Sequence, residues 1–258
     1  MGWLIMGLAG LTAASVVALF AVHAARRPQP DDGIDRAPDK PIPFGYATAW
    51  LAVRTADTIR LIEALDLTQT VRASWKGGIA AAYDEARAGT HVFVSAPVAG
   101  WSFVIGLPLP QPAGPAYEDR AGQLLASLAT EFADVQYYFT YPPLDLYGWS
   151  RWKDGRLVRA FAMGGEGVLW NAGRPTPEEK AAGLKLPAPG KHAARSIWHD
   201  THTYPGEEHV IRLAAEWSLD PTTIDRRDAV ASLGYVGRAP AVWRLKRISG
   251  LKRALRIG

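Results

Sequence analysis

Leu146-Tyr-Gly-Trp-Ser-Arg-Trp-Lys-Asp-Gly-Arg-Leu-Val-Arg-Ala-Phe-Ala-Met163 decides the fold class. Two β-rich runs, Leu146 to Trp152 and Arg156 to Met163, flank Lys153-Asp154-Gly155. An Asp-Gly pair between such runs is a strong hairpin signal, because the turn needs positive φ at its central residues. The chain on either side continues the pattern. Val135 to Tyr141 reads as a strand stopped by Pro142-Pro143, and after Gly164-Gly165 the stretch Gly167 to Trp170 adds another. Upstream, His91 to Val98 and Trp101 to Leu107 flank Ala99-Gly100 as a second hairpin, and Tyr46 to Val53 reads as a further strand.

Helical periodicity falls between these runs rather than alternating with them. Asp57 to Leu65 places Ile59, Ile62 and Leu65 on one face, and Tyr117 to Phe132 makes a stripe of Leu124, Leu125, Leu128 and Phe132. Glu118 and Asp119 sit in the first turn of that helix, where acids favour the dipole. Thr176-Pro177-Glu178-Glu179 supplies an N-cap, Pro at N1 and a capping-box Glu. Glu207 to Trp217 returns to helical spacing through Val210, Leu213, Ala214 and Trp217, and Asp220-Pro221 opens a brief turn. Without strict βαβ alternation, the order predicts an α+β domain, mainly antiparallel sheet with a few packed helices.

The ends of the chain differ from this middle. Trp3 to Ala25 is a 23-residue apolar run in which only His23 is ionisable, long enough to span a bilayer. The nearest cations, Arg26-Arg27, follow it. By the positive-inside rule that flank faces the cytoplasm, so the reading is a single-pass inner-membrane anchor with the domain inside. The competing reading is a signal peptide cleaved after Val22-His23-Ala24, giving a periplasmic or secreted protein. Residues 28–43, rich in Pro and Asp, read as an extended spacer. The organisation expected is anchor 1–27, linker 28–43, domain 44–242 and tail 243–258.

That tail carries Arg244, Lys246, Arg247, Lys252, Arg253 and Arg256 and no acid, so of a formal net charge of +4 it leaves −2 for the rest. Leu245, Ile248, Leu251 and Leu255 fall at helical spacing beside those charges. Such a stripe suits a helix lying on an anionic membrane surface, each cation contributing about 1 kcal/mol. A nucleic-acid arm would share the charge but gain nothing from the stripe. Gly250 favours the plainer alternative, a solvated end. The absence of Cys excludes disulfides, thiolate metal sites and cysteine nucleophiles.

Four stretches, Tyr46-Ala-Thr-Ala-Trp-Leu-Ala-Val53, Val92-Phe-Val-Ser-Ala-Pro-Val-Ala-Gly-Trp101, Asp154-Gly-Arg-Leu-Val-Arg-Ala-Phe161 and Ala215-Glu-Trp-Ser-Leu-Asp-Pro-Thr222, resemble a family of uncharacterised bacterial α+β proteins. The likeness covers roughly residues 46–224. It implies a fold and no activity, substrate or cofactor.

Candidate sites are few. His199, His202 and His209, with Glu207 and Glu208, are the types a Zn²⁺ or Mn²⁺ hydrolase would use, but they lack the i, i+4 spacing of a zinc helix; the plainer reading is surface histidines and a helix cap. Tyr147, Trp149 and Arg151 share one strand face and are candidates for binding a sugar ring, a base or a protein, against ordinary sheet packing. Glu166 is a lone loop carboxylate. Gly164-Gly165-x-Gly167 precedes a strand, so it offers no helix N-terminus to a phosphate. Ser102 and Ser150 sit on no nucleophile elbow. The sequence therefore points to a non-enzymatic, membrane-tethered binding protein, possible forms being an immunity-like blocker of a delivered toxin or, with the opposite topology, an envelope glycan binder, with a metal-dependent hydrolase as the alternative. No cofactor is called for.

Overall fold

The computed structural model describes residues 32–84, 86–87, 89–112, 120–165, 167–189 and 204–243. The chain divides into Met1–Ile34 and Asp35–Gly258. The expected membrane run and the cationic residues of the tail lie outside the described residues. Among the described residues no helix is long and apolar enough to cross a membrane.

Among the described residues nine strands form one antiparallel sheet: β1 (Ala49–Val53), β2 (Thr68–Ala73), β3 (His91–Val94), β4 (Ser102–Ile105), β5 (Asp134–Tyr141), β6 (Leu146–Lys153), β7 (Arg156–Gly164), β8 (Gly167–Ala172) and β9 (Gly234–Arg238). Their order is β2-β9-β3-β4-β1-β5-β6-β7-β8. Among the described residues five α-helices accompany it: α1 (Thr58–Ala64), α2 (Trp75–Tyr83), α3 (Arg120–Glu131), α4 (Pro177–Ala181) and α5 (Glu207–Trp217). This is the α+β architecture expected.

The Asp154-Gly155 hairpin forms as read; at Ala99-Gly100 the turn forms too, closed by an isolated Val98–Trp101 bridge, but its strands are shorter than read, only β3 and β4. Asp154 and Gly155 take φ of 49° and 76°, and Ala99 and Gly100 take 49° and 82°, the double positive φ that matches strand twist. In the first, Tyr147 pairs with Met163 and Trp149 with Phe161.

The sheet is covered on both faces. On one, α1 and α3 lay Leu61, Ile62, Leu125, Leu128 and Phe132 over Leu51, Val53, Val135, Tyr137 and Phe139. Ile62 and Leu65 are buried as expected, but Ile59, expected beside them on the inner face of α1, is 50% exposed, because Leu61 points inward in its place. The other face is aromatic. Trp75 of α2 meets Phe93, and Phe44 meets Trp75, Phe103 and Trp50. Trp50 stacks on Tyr138, which meets Trp217 of α5. Alternation along β1 and β5 sends neighbouring residues to opposite faces, so each strand feeds both cores.

The Pro/Asp-rich stretch is not a free spacer throughout. From Asp35 it is docked: the Asp35 carbonyl accepts the Ser74 amide, the Asp39 carboxylate accepts the Lys76 amide at 2.9 Å, and Phe44 is buried. With the Ser74 hydroxyl accepting from Gly77, Asp39 completes the N-cap of α2. The strand β2, the helix α2 and the strand β9 were not foreseen in the sequence.

Candidate binding furrow

Helix α5 starts at the end of the sheet where β1 and β6 begin and β5 ends. Glu207 fixes it there: its Oε1 accepts from the Ala47 amide at 3.0 Å and the Thr140 hydroxyl at 2.7 Å. At the same turn His209 Nδ1 accepts the Gly206 amide at 3.1 Å, capping the helix. The inward face of α5, Val210, Leu213, Ala214 and Trp217, is buried on the sheet. Its outward face remains open.

Along that outward face runs an open cleft of about 430 Å³ lined by Tyr46, Glu207, Glu208, Ile211, Arg212, Ala215 and Asp220. A second hollow of about 180 Å³ continues it, lined by Pro177, Glu178, Ala181, Arg212 and Glu216. Arg212 stands between the two and donates to the Ala181 carbonyl at 3.0 Å. The floor is apolar, from Tyr46, Ile211 and Ala215. The rim carries five carboxylates against one guanidinium. Asp220 is fixed by accepting from the Thr222 amide and hydroxyl, whereas the Glu208 side chain is 77% exposed.

Charge is held firmly at the α4 end. Partial burial pushes the Glu178 carboxyl upward, but its own backbone amide, the Thr176 hydroxyl and the Trp217 indole donate to it and Arg151 lies nearby, so its pKa falls below the ordinary value. At the other end, burial and then Asp145, Glu207 and Glu208 raise the Tyr147 phenol. Burial raises Tyr83 as well, its hydroxyl donating to the Tyr46 carbonyl at 2.8 Å. Neither phenol is activated as a nucleophile.

The expected aromatic platform of Tyr147, Trp149 and Arg151 does not form. Trp149 is fully buried against Phe161, and its indole N–H donates to Glu179 at 2.8 Å. Arg151 is bound to Asp134 at 2.8 Å and lies over the Trp217 ring. The reason is that α4 and α5 cover this sheet face, which the strand pattern alone does not show. Of the three, Tyr147 stands in the field of Glu207 and Glu208, and Arg151 in that of Glu178. Of the metal candidates, His199 and His202 lie outside the described residues, as does Glu166, and His209 has one ring nitrogen committed to its cap. Among the described residues no group of three potential ligands converges.

Beneath the furrow lies a buried polar knot. Glu179, read as a capping-box residue, also accepts from Arg159 Nε at 2.7 Å, both side chains being fully buried. Arg159 Nη1 donates to Asn171 Oδ1 at 2.9 Å, and Asn171 Nδ2 donates to the Ala188 carbonyl at 2.8 Å. This knot ties α4, β7, β8 and the following loop together, with its ion pair fully buried.

Fold and furrow thus define an antiparallel α+β protein with an acid-rimmed cleft along one covering helix. Comparison with protein-family models, curated proteins and solved structures finds no match.

Proposed function

We propose that the chain is a membrane-tethered binding protein, not an enzyme, and that the furrow along α5 takes a basic segment of a partner protein. The observation that carries the reading is the pairing of an apolar floor with a rim of five carboxylates. A helix or extended strand with Lys or Arg flanking a few apolar residues complements it, charge steering the approach and burial holding it. An immunity-like blocker of a basic delivered protein is one form of this function. The apolar run 3–25 supplies the tether, with Arg26-Arg27 on the cytoplasmic side.

The furrow is tested with the full chain in non-ionic micelles and a fluorescent Lys-rich, Leu-containing dodecapeptide. Glu208 and Glu216 are exposed and serve no core contact, so Glu208→Lys with Glu216→Lys leaves the fold intact. We expect salt-sensitive binding that this pair of reversals weakens at least about ten-fold. Unchanged affinity in the reversed protein excludes the furrow as the docking surface. Orientation is read separately from Asp32→Cys, the only thiol in the chain. A membrane-impermeant maleimide should label it only after the inner membrane is lysed, and labelling in intact cells would place the domain outside.

A further inference from the structure

Building on the furrow reading, we infer that its first occupant is this chain's own basic tail, Arg244–Gly258, which folds back onto the acidic rim when no anionic membrane competes for it.

Three observations carry this. The first is where the described chain stops. The Val242 carbonyl accepts Arg120 Nη1 at 2.7 Å, at the start of α3, and Trp243 is buried on the α3 face. Helices α3 and α5 pack on opposite faces of the same strands, β5 and β6. Both begin at the same end of the sheet, because Trp243 follows β9 there and Glu207 is bonded to Ala47 and Thr140 there. From Trp243 to the mouth of the furrow is therefore on the order of 20 Å through the layers, and up to about 30 Å when the four strand spacings from β9 to β5 are included. The second is length. The 15 residues from Arg244 to Gly258 span about 50 Å extended and about 22 Å as helix. The extended chain reaches with about 20 Å to spare, whereas a tail helical throughout does not.

The third is complementarity. The tail has six cations, no acid and four apolar residues at helical spacing. The furrow offers five carboxylates around an apolar floor. Within one chain the tail's effective concentration is in the millimolar range, so even a weak contact keeps the furrow filled. An anionic bilayer attracts the same cations and the same apolar stripe. Membrane contact then withdraws the tail and opens the furrow to the partner.

The test labels Lys180→Cys, beside the furrow, and Ala254→Cys, in the tail, with a fluorescence donor and acceptor on the full chain in non-ionic micelles. We expect strong energy transfer that is independent of protein concentration. It should be lost in 0.5 M salt, in the Glu208→Lys/Glu216→Lys background and on adding vesicles containing phosphatidylserine, and kept with phosphatidylcholine alone. Transfer that dilutes away assigns the tail to a second copy and overturns the inference. So does transfer insensitive to the reversals or to phosphatidylserine. Replacing the six tail cations by Gln should tighten the dodecapeptide by roughly ten-fold. If that variant binds the peptide no better, yet the two reversals still weaken it, the tail inference fails and the furrow stands. If the reversals have no effect in the Gln-tail chain either, the furrow reading itself fails.

Discussion

Arg159 and Glu179 are both removed entirely from water, and their stability contribution depends on neither being left alone. The carboxylate accepts from Arg159, from the Trp149 indole and from the Thr176 amide, so three donors converge on it. Arg159→Met strands that carboxylate, and we expect a loss of about 3–5 kcal/mol in chemical denaturation. Adding Glu179→Met removes the stranded charge, so the double variant should lose less than the two single losses combined. Additive losses would mean that the ion pair is not the coupling element. His91 gives a second residue-level expectation. Burial first, then Arg87 and Arg238, hold its pKa below the ordinary 6.5. Between the folded value and 6.5 the unfolded chain binds more protons, so stability should fall as pH is lowered through that window. His91→Gln should flatten that part of the profile, and a slope that persists would assign it to another group. The depressed Glu178 acts at lower pH: its contribution is present above 4.5 and lost as pH falls through the folded value.

At the scale of elements, α2 sets helix propensity against packing. Gly78 lies inside it, where Ala would favour the helix by about 1 kcal/mol. A Cβ there would come within 2.0 Å of the Phe93 ring, and such overpacking costs about 1–3 kcal/mol or more. We therefore expect Gly78→Ala to lower the thermal midpoint; a raised midpoint would show that Phe93 has room to move. The same conflict explains which elements the sequence hid. Trp75-Lys-Gly-Gly-Ile-Ala-Ala-Ala-Tyr83 reads poorly as a helix because two Gly interrupt it, yet both are needed for close approach, to Asp35 and to Phe93. In β9 a Cβ at Gly234 would meet the Val94 carbonyl at 2.2 Å. Thr68-Gln-Thr-Val-Arg-Ala73 is an edge strand whose first three residues are exposed and carry no alternation. The Asp154-Gly155 hairpin and the α5 stripe were legible because turn chemistry and period are local. The furrow was not, since Tyr46, Glu178, Arg212 and Asp220 come from separate segments that only the fold assembles.

Across the whole domain, the segment expected to be a loose tether turns out to link the covering helices. Phe44, immediately after the Pro/Asp-rich stretch, is 4% exposed and sits between Trp75 of α2 and Trp50 of β1, while its amide donates to the Pro221 carbonyl at 3.1 Å just beyond α5. Through Trp50 and Tyr138 the contacts continue to Trp217, so one aromatic row joins α2 to α5 across the sheet. The row has a mechanical consequence. Gly45, at φ of 113°, has Ile211 of the furrow floor within 2.9 Å of where a Cβ would lie, so the chain that enters from Asp35 reaches the furrow at the residue following its buried ring. Phe44→Ala removes a ring from a close-packed site and should cost about 3–5 kcal/mol. Because Trp50 and Trp75 both touch that ring, tryptophan fluorescence should register the loss in the native state. Chemical denaturation followed by fluorescence and by far-ultraviolet circular dichroism should still give coincident transitions, at lower midpoint, if α2 and α5 unfold together. Separated transitions would show that Phe44 is what couples the two helices, and a midpoint within error of the parent would show that the row carries no stability. The dodecapeptide should bind the same variant less tightly, since the floor of the furrow borders the emptied site.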